Sequence, residues 1–319
     1  MYYLGVDLGG TGIKVGVVDE QGKILGTAKC PTGVERGYGP VIADMAKLCF
    51  EAVEKCNVSM DDVKAIGIGI PGIQDPATGL VPFCTNLGWH QVPLVSEMQK
   101  YIDKPVFIGN DATVAGLAEA VAGVSAGAST SVFVTLGTGV GGGIILDGKL
   151  LTGVNGAAGE IGHMSVEMDG IPCPCGRSGC FEQYASATAL VRQTREAMEQ
   201  DREKTSRLWE LSDGDPANVN GLVLFTAARE GDGRALMVLD KFTTYLAIGV
   251  ADLINIFQPD VLCIGGGISK QGDFLIQPLI RKVEELRYTK HSKKQTTICA
   301  ATLGNDAGII GAALLSNVK

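Results

Sequence analysis

The sequence predicts an α/β protein of two similar domains with a cleft between them, and three observations lead there. First, Asp7-Leu-Gly-Gly-Thr-Gly-Ile-Lys-Val-Gly-Val-Val-Asp19 with Gly22-Lys-Ile-Leu is echoed by Thr135-Leu-Gly-Thr-Gly-Val-Gly-Gly-Gly-Ile-Ile-Leu-Asp147 with Gly148-Lys-Leu-Leu. Second, buried strands alternate with helical segments after each copy. Third, the 44 glycines follow no collagen-like period and gather where apolar runs end, at points where backbone turns tightly or meets a ligand.

Leu8 and Gly9 align with Leu136 and Gly137, and Asp19 with Asp147, so each copy reads as strand, glycine turn, strand, tight turn, strand. A match over about a dozen positions argues for duplication rather than two unrelated hairpins. Val41, Ile42, Met45, Ala46, Cys49, Phe50 and Val53 then share one helical face. Val63 to Ile70 reads as a buried strand ending at Pro71-Gly72. Val106 to Ile108 is a short strand ending at Gly109-Asn110-Asp111, with a helix from about Ala112. In the second half, Ala185 to about Glu210 and Arg234 to Phe257 read as helices, Gly249 being the weak point of the latter. Val261 to Ile264 runs as a strand into Gly265-Gly-Gly267, Thr297 to Cys299 is a last strand, and Asp306 to Leu315 a closing helix. Asp213 to Asn220 resembles a linker but is too short to separate independent modules.

A chain of 319 residues with 45% hydrophobic content builds two substantial cores. The formal charge of −8 argues against a nucleic-acid partner, and the densest basic cluster, Lys290, Lys293 and Lys294, reads as a solvated face. There is no long apolar run for a membrane and no charged-then-apolar leader at Met1. With nine cysteines, an odd number, this points to a reducing cytoplasm.

In that setting His163, Cys173, Cys175 and Cys180, within eighteen positions, read as a closed tetrahedral zinc site. Four protein ligands leave no open position for water, so the zinc is expected to be structural. A disulfide among the three cysteines is the alternative. Glu160 and Glu182 stand beside these ligands without being needed by the metal. They and His163 can grip a polyhydroxylated ligand such as a sugar, and Asn86 adds an amide. The glycine turns suit a polyphosphate, with Gly9, Gly10, Thr11 and Gly12 in one domain and Gly137, Thr138 and Gly139 in the other. Neither turn is a G-x-x-x-x-G-K-[ST] loop, and each alone also fits a plain hairpin. Asp7 can hold magnesium or cap its own turn. Lys14 can steer phosphate or be solvated. Asp111 can serve as a helix cap or accept a proton from an alcohol.

Taken together these residues resemble the ROK family of sugar kinases and regulators, and most of all its bacterial ATP-dependent glucokinases. The resemblance is carried by Asp7-Leu-Gly-Gly-Thr-Gly, by Leu136-Gly-Thr-Gly-Val-Gly-Gly-Gly and by the Asn110-Asp111 pair. Gly156-Ala-Ala-Gly-Glu-Ile-Gly-His163 with the Cys-x-Cys-Gly-x-x-Gly-Cys-x-Glu run, and the three glycines from Gly265, complete it. It implies a duplicated actin-like (ribonuclease H-like) two-lobe fold with an inter-lobe active-site cleft, and commonly a homodimer. The small lobe would comprise 1–120 and 303–319, and the large lobe 121–302. It implies that Asp111 is the general base toward the 6-hydroxyl of a hexose, glucose first among them. Gly72, Asn86, Asn110, Glu160, His163 and Glu182 would hold the sugar. Asp7, Gly9, Gly10, Thr11, Gly12, Lys14, Gly137, Thr138, Gly139, Gly265, Gly266 and Gly267 would serve ATP and Mg2+. His163, Cys173, Cys175 and Cys180 would ligate Zn2+.

One departure stands out: relatives often carry asparagine where this chain has Thr113, in the first helical turn, and a packing adjustment is expected there. N-acetylmannosamine, N-acetylglucosamine, fructose and allose are the alternative sugars of such kinases, and polyphosphate an alternative donor. A regulator of the family would place a winged helix before the sugar-binding fold, whereas here a core strand is expected from about Tyr2. A zinc hydrolase would need an open metal position and would leave the phosphate turns unexplained.

Overall fold

The computed structural model describes residues 1–317. In chain order its main elements begin with β1 (Tyr2–Leu8), β2 (Gly12–Asp19), β3 (Ile24–Pro31), α1 (Tyr38–Lys55) and β4 (Val63–Ile70). There follow β5 (Ile73–Asp75), β6 (Leu80–Cys84), β7 (Trp89–Val92), α2 (Leu94–Gln99), β8 (Val106–Asn110) and α3 (Asp111–Ala122). Then come β9 (Ser131–Leu136), β10 (Val140–Leu146), β11 (Lys149–Leu150), α4 (Glu182–Ala185), α5 (Ala187–Glu199), α6 (Arg207–Leu211) and α7 (Gly221–Arg229). The chain closes with α8 (Gly233–Phe257), β12 (Val261–Gly265), α9 (Asp273–Leu286), β13 (Thr297–Ala300) and α10 (Ala307–Ala313). Two compact units form: Met1–Phe133 with Gly142–Gly159 and Ala301–Lys319, and Val134–Gly141 with Glu160–Ala300. No helix among the described residues is long and apolar enough to cross a membrane.

The duplication is written in the sheets. One has the order β3-β2-β1-β4-β8 and the other β11-β10-β9-β12-β13, so the two copies of the repeat supply the same three positions in each. In the first sheet β1 and β2 pair antiparallel from Tyr2↔Asp19 to Leu8↔Ile13. β1 and β4, and β4 and β8, pair parallel. Three carboxyl ends therefore meet at one end of this sheet and carry Asp7, Gly69 and Asn110, the usual place for a ligand in α/β proteins.

Tight backbone contact holds the middle of the sheet. A Cβ on Gly5 or on Gly67 would fall on a carbonyl of α10, Ile309 O or Ala312 O respectively, so only glycine lets α10 lie directly on β1 and β4. Around this contact Tyr3, Leu117, Ile309 and Ile310 form one buried cluster, while Leu4, Val6, Ile66 and Ile68 join the buried face of α1 in another.

Three expectations about helices are corrected by the packing. Phe50 is exposed, because at 100° per residue it falls well off the stripe of Met45, Cys49 and Ala52. The helix expected from Ala185 to about Glu210 is broken into α4, α5 and α6. Ser186 is extended and caps α5 through Ala189 N, and buried Asp201 accepts from Ser206 N and Trp209 Nε1, which turns the chain before α6. Gly249 does not weaken α8, which runs unbroken over 25 residues; its missing Cβ is the space occupied by the Phe181 ring. The small antiparallel sheet β5-β6-β7 was not anticipated, its strands being only three to five residues long.

Candidate active site

In the first unit the groups gather at the strand ends. Gly9 N donates to Gly12 O at 2.9 Å, and Thr32 ties down the turn by donating from Oγ1 to Gly9 O and from N to Thr11 O. The N–H groups of Gly10 and Thr11 donate to nothing among the described residues, as an anion-binding turn requires. Asn86, on the turn Thr85–Leu87 between β6 and β7, stands over this loop, its carbonyl 3.2 Å from where a Cβ on Gly10 would lie. Asp7 is partly buried and pairs with Lys14 Nζ at 3.4 Å.

The cap role that the sequence offers to Asp111 falls to its neighbour Asn110. Asn110, at the end of β8, is the cap of α3: its Oδ1 accepts from Ala112 N at 2.9 Å and Thr113 N at 3.2 Å. Its Nδ2 donates to Gly72 O at 3.3 Å. Asp111 is thereby the first residue of the helix. Its Oδ1 also accepts from Ala112 N at 2.9 Å, while Oδ2 takes no hydrogen bond from the described residues. Asp111 is exposed, yet desolvation by the neighbouring protein raises its carboxyl above the ordinary value. The Ala112 N–H opposes this and the charge of Asp7 reinforces it. An aspartate held this way keeps one oxygen for a proton from a ligand. Thr113 is buried and its hydroxyl donates to Gly142 O at 3.4 Å.

In the second unit the other glycine turn repeats the arrangement. Gly137 N donates to Gly139 O at 3.0 Å, Gly137 O accepts from Ala187 N, and the N–H groups of Thr138 and Gly139 donate to nothing among the described residues. At the end of β12, Gly266 has a left-handed φ of 85° and packs onto Leu136 O, which places the triple glycine against the strand feeding the second turn; Gly267 has open space around it. A Cβ on Gly139 would fall on Glu182 Oε2, so this turn also borders the cysteine cluster.

The ligand atoms of His163, Cys173, Cys175 and Cys180 all lie within 4.8 Å of one another. Cys173 Sγ is 3.7 Å from His163 Nδ1, and Cys175 Sγ is 3.6 Å from Cys180 Sγ. A tetrahedron with metal–sulfur bonds of about 2.3 Å has edges of about 3.75 Å, so the spacing fits zinc. Local backbone bonds shape the loop: Cys173 N donates to Arg177 O, Gly176 N to Cys173 O, and Phe181 N to Met164 O. Burial raises the Cys173 thiol to about 12 and also raises Cys180, whereas the Arg177 N–H lowers exposed Cys175. A bound cation reverses the first bias by favouring thiolates. Nδ1 of His163 faces the thiols, which leaves Nε2 for a second partner. Glu182 Oε1 lies 3.1 Å from Cys173 Sγ and 3.8 Å from His163 Nδ1, beside the cluster rather than in it. Glu160 is exposed and opens the turn Ile161–His163.

The predicted residues thus fall into two sets. Asp7, Gly9, Gly10, Thr11, Gly12, Lys14, Gly72, Asn86, Asn110 and Asp111 belong to the first unit, and the remainder to the second. One residue among these groups escaped the sequence reading: buried Gln74, whose Nε2 donates to Ile70 O at 2.8 Å and Gly72 O at 2.7 Å. No motif marks a lone glutamine, and only its burial betrays it.

Comparison with known proteins agrees with this organisation. Residues 3–319 match the model of the ROK family. The glucokinase of Thermotoga maritima is 42% identical over 97% of this chain and 95% of its own, and that of Halalkalibacterium halodurans 38% identical over 97% and 93%. The xylose repressor of Caldicellulosiruptor bescii is 31% identical over 86% of this chain and 68% of its own. Among solved structures, a ROK family glucokinase from Streptomyces griseus in complex with glucose and AMPPNP superposes with a TM-score of 0.83, at 36% identity over 99% of each chain. The ROK hexokinase of Thermus thermophilus superposes at 0.84, with 32% identity over 98% of this chain and 97% of its own. With its repeated sheet and its glycine turns, the chain has the duplicated actin-like fold and belongs to the ROK family.

Proposed function

We propose that this protein transfers the terminal phosphoryl group of ATP to the 6-hydroxyl of glucose. It is a hexokinase-type sugar kinase; 38–42% identity to glucokinases, against 31% to a xylose repressor, supports that class. The single observation that carries the chemistry is Asp111, anchored through Oδ1 on Ala112 N with Oδ2 unclaimed and its carboxyl raised toward neutrality. A base of this kind takes the hydroxyl proton as the oxygen attacks phosphorus, and its raised value improves the proton transfer. Asn110 holds the helix start that aims it, and the remaining amide N–H of Asn110 is available to a sugar hydroxyl.

Gly72, Asn86, Asn110, Glu160, His163 and Glu182 hold the hexose, the carboxylates accepting from neighbouring hydroxyls and His163 Nε2 donating or accepting. The N–H groups of Gly10, Thr11, Thr138 and Gly139 receive phosphate oxygens, and Lys14 adds charge. Gly265, Gly266 and Gly267 take the nucleoside side, where a bare backbone permits close approach. Asp7 would hold Mg2+, directly or through water, which offsets charge on the transferring group. Zinc in the His163, Cys173, Cys175, Cys180 site would fix the loop that carries His163 and Glu182 and takes no part in phosphoryl transfer.

The test is a coupled ADP-release assay with magnesium-ATP against glucose, N-acetylmannosamine, N-acetylglucosamine, fructose and allose, repeated with polyphosphate. Turnover on glucose well above the others is expected. Preference for an N-acetyl sugar would replace the substrate while keeping the mechanism, and no turnover on any sugar by zinc-loaded, folded protein would overturn the kinase reading.

A further inference from the structure

We infer that Gln74 is a positioning residue for the sugar: its side-chain amide sets the Pro71-Gly72 turn and, through it, the orientation of Asn110. The inference rests on the sugar-holding roles given above to Gly72 and Asn110. Gln74 is 2% exposed, and both N–H bonds of its Nε2 are spent on carbonyls, Ile70 O at 2.8 Å and Gly72 O at 2.7 Å. Gly72 O accepts a second bond from Asn110 Nδ2 at 3.3 Å, which uses both lone pairs of that oxygen. The result is a chain of amide, carbonyl and amide across the end of the sheet, where Ile70 and Asn110 are register partners.

Packing does not do this work instead. A cavity of about 170 Å³ lies against the same groups, lined by Gln74, Phe107, Asn110, Thr113, Thr152 and Leu315 among others. Asn110 therefore has open space on one side, and hydrogen bonds fix its direction. Gly72 itself cannot hold the turn by a side chain, because its φ is 89° and a Cβ would fall 2.7 Å from Phe83 O. Nothing but the Gln74 amide reaches both carbonyls among the described residues.

Removing the amide while keeping the bulk frees Gly72 O, and a shift of the order of 1 Å in Asn110 costs about tenfold to a hundredfold in kcat/KM for the sugar, with the loss appearing in KM because Asn110 holds the ground-state sugar as well. The experiment measures kcat and both KM values for Gln74→Leu and Gln74→Glu beside the unaltered protein, with glucose and ATP varied in turn. Gln74→Leu is expected to raise the KM for glucose about tenfold or more, with the KM for ATP within twofold. In Gln74→Glu an ionised carboxylate faces two carbonyl oxygens and only its acid form can donate, so its glucose KM should improve as pH falls. KM does not depend on the folded fraction, so partial misfolding does not mimic the result. Equal KM values for glucose in all three proteins, or a loss confined to kcat, would overturn the inference. A wild-type protein with no sugar turnover would instead overturn the functional reading beneath it.

Discussion

Gly139→Ala separates two reasons for a glycine at that position, since the residue belongs to a turn proposed to receive phosphate and also faces Glu182. Its φ lies outside the left-handed region, so alanine is allowed by the backbone and the perturbation is the added methyl alone. That methyl would fall on Glu182 Oε2. Ordinary separation is about 3.5 Å, so the carboxylate must retreat by about 1 Å. The tip of a glutamate moves cheaply, and little stability should be lost. The other oxygen, however, is 3.1 Å from Cys173 Sγ, so the retreat swings the carboxylate out of its place beside the cluster. A 1 Å misplacement of a sugar-holding group costs up to about a hundredfold in kcat/KM. Initial rates with glucose varied at saturating ATP, and then the reverse, should show the loss in the glucose KM. A raised KM for ATP with that for glucose unchanged would refute the reasoning and return Gly139 to a purely phosphate role.

Asp111→Asn keeps the acceptor for Ala112 N but removes the base, and should lower kcat by about 10² to 10⁴-fold with the fold intact by circular dichroism. Desolvation by neighbouring protein raises the Asp111 carboxyl even though the residue is exposed, so its contribution to stability, weakened by solvent screening, is full below the ordinary aspartate value and lost as pH rises through the raised one. The asparagine variant should therefore melt higher than the parent at pH 7, with the gap closing in acid, and the acid limb of the parent's kcat/KM profile should lie above that of an ordinary aspartate. Zinc should copurify at about one per chain and resist chelators until the protein unfolds. Cys180→Ser, at a fully buried member of the proposed zinc site, should lose the metal and lower Tm, because such sites contribute on the order of 10 kcal/mol to folding. Gly67→Ala drives a methyl into Ala312 O of α10 and should destabilise by about 3 kcal/mol or more in denaturant melts, with the glucose KM of the folded fraction preserved.

Much of the fold and of the site is legible in the chain because the relevant signals are local. His163 and the three clustered cysteines lie within eighteen residues and close a loop through short-range bonds such as Cys173 N to Arg177 O. The repeat announces the first three strands of each sheet, and the buried runs 63–70 and 261–264 show their hydrophobic character without reference to a partner. The glycine turns follow their strands directly, so their backbone chemistry travels with the sequence.

Tertiary structure decided what depends on distant segments meeting. Whether Asn110 or Asp111 caps α3 turns on which side chain can fold back over Ala112 N and Thr113 N while the strand end stays in register with Ile70. Gly67 and Gly249 look alike as interruptions, yet one admits a helix backbone and the other an aromatic ring, contacts set by packing across the unit. Gln74 carries no motif and acquires its part only when Ile70 O, Gly72 O and Asn110 come together around it. Periodicity and spacing encode which residues are buried and which lie at turns. The direction of a single amide or carboxylate is set by the few hydrogen bonds and close contacts that the completed fold brings within reach.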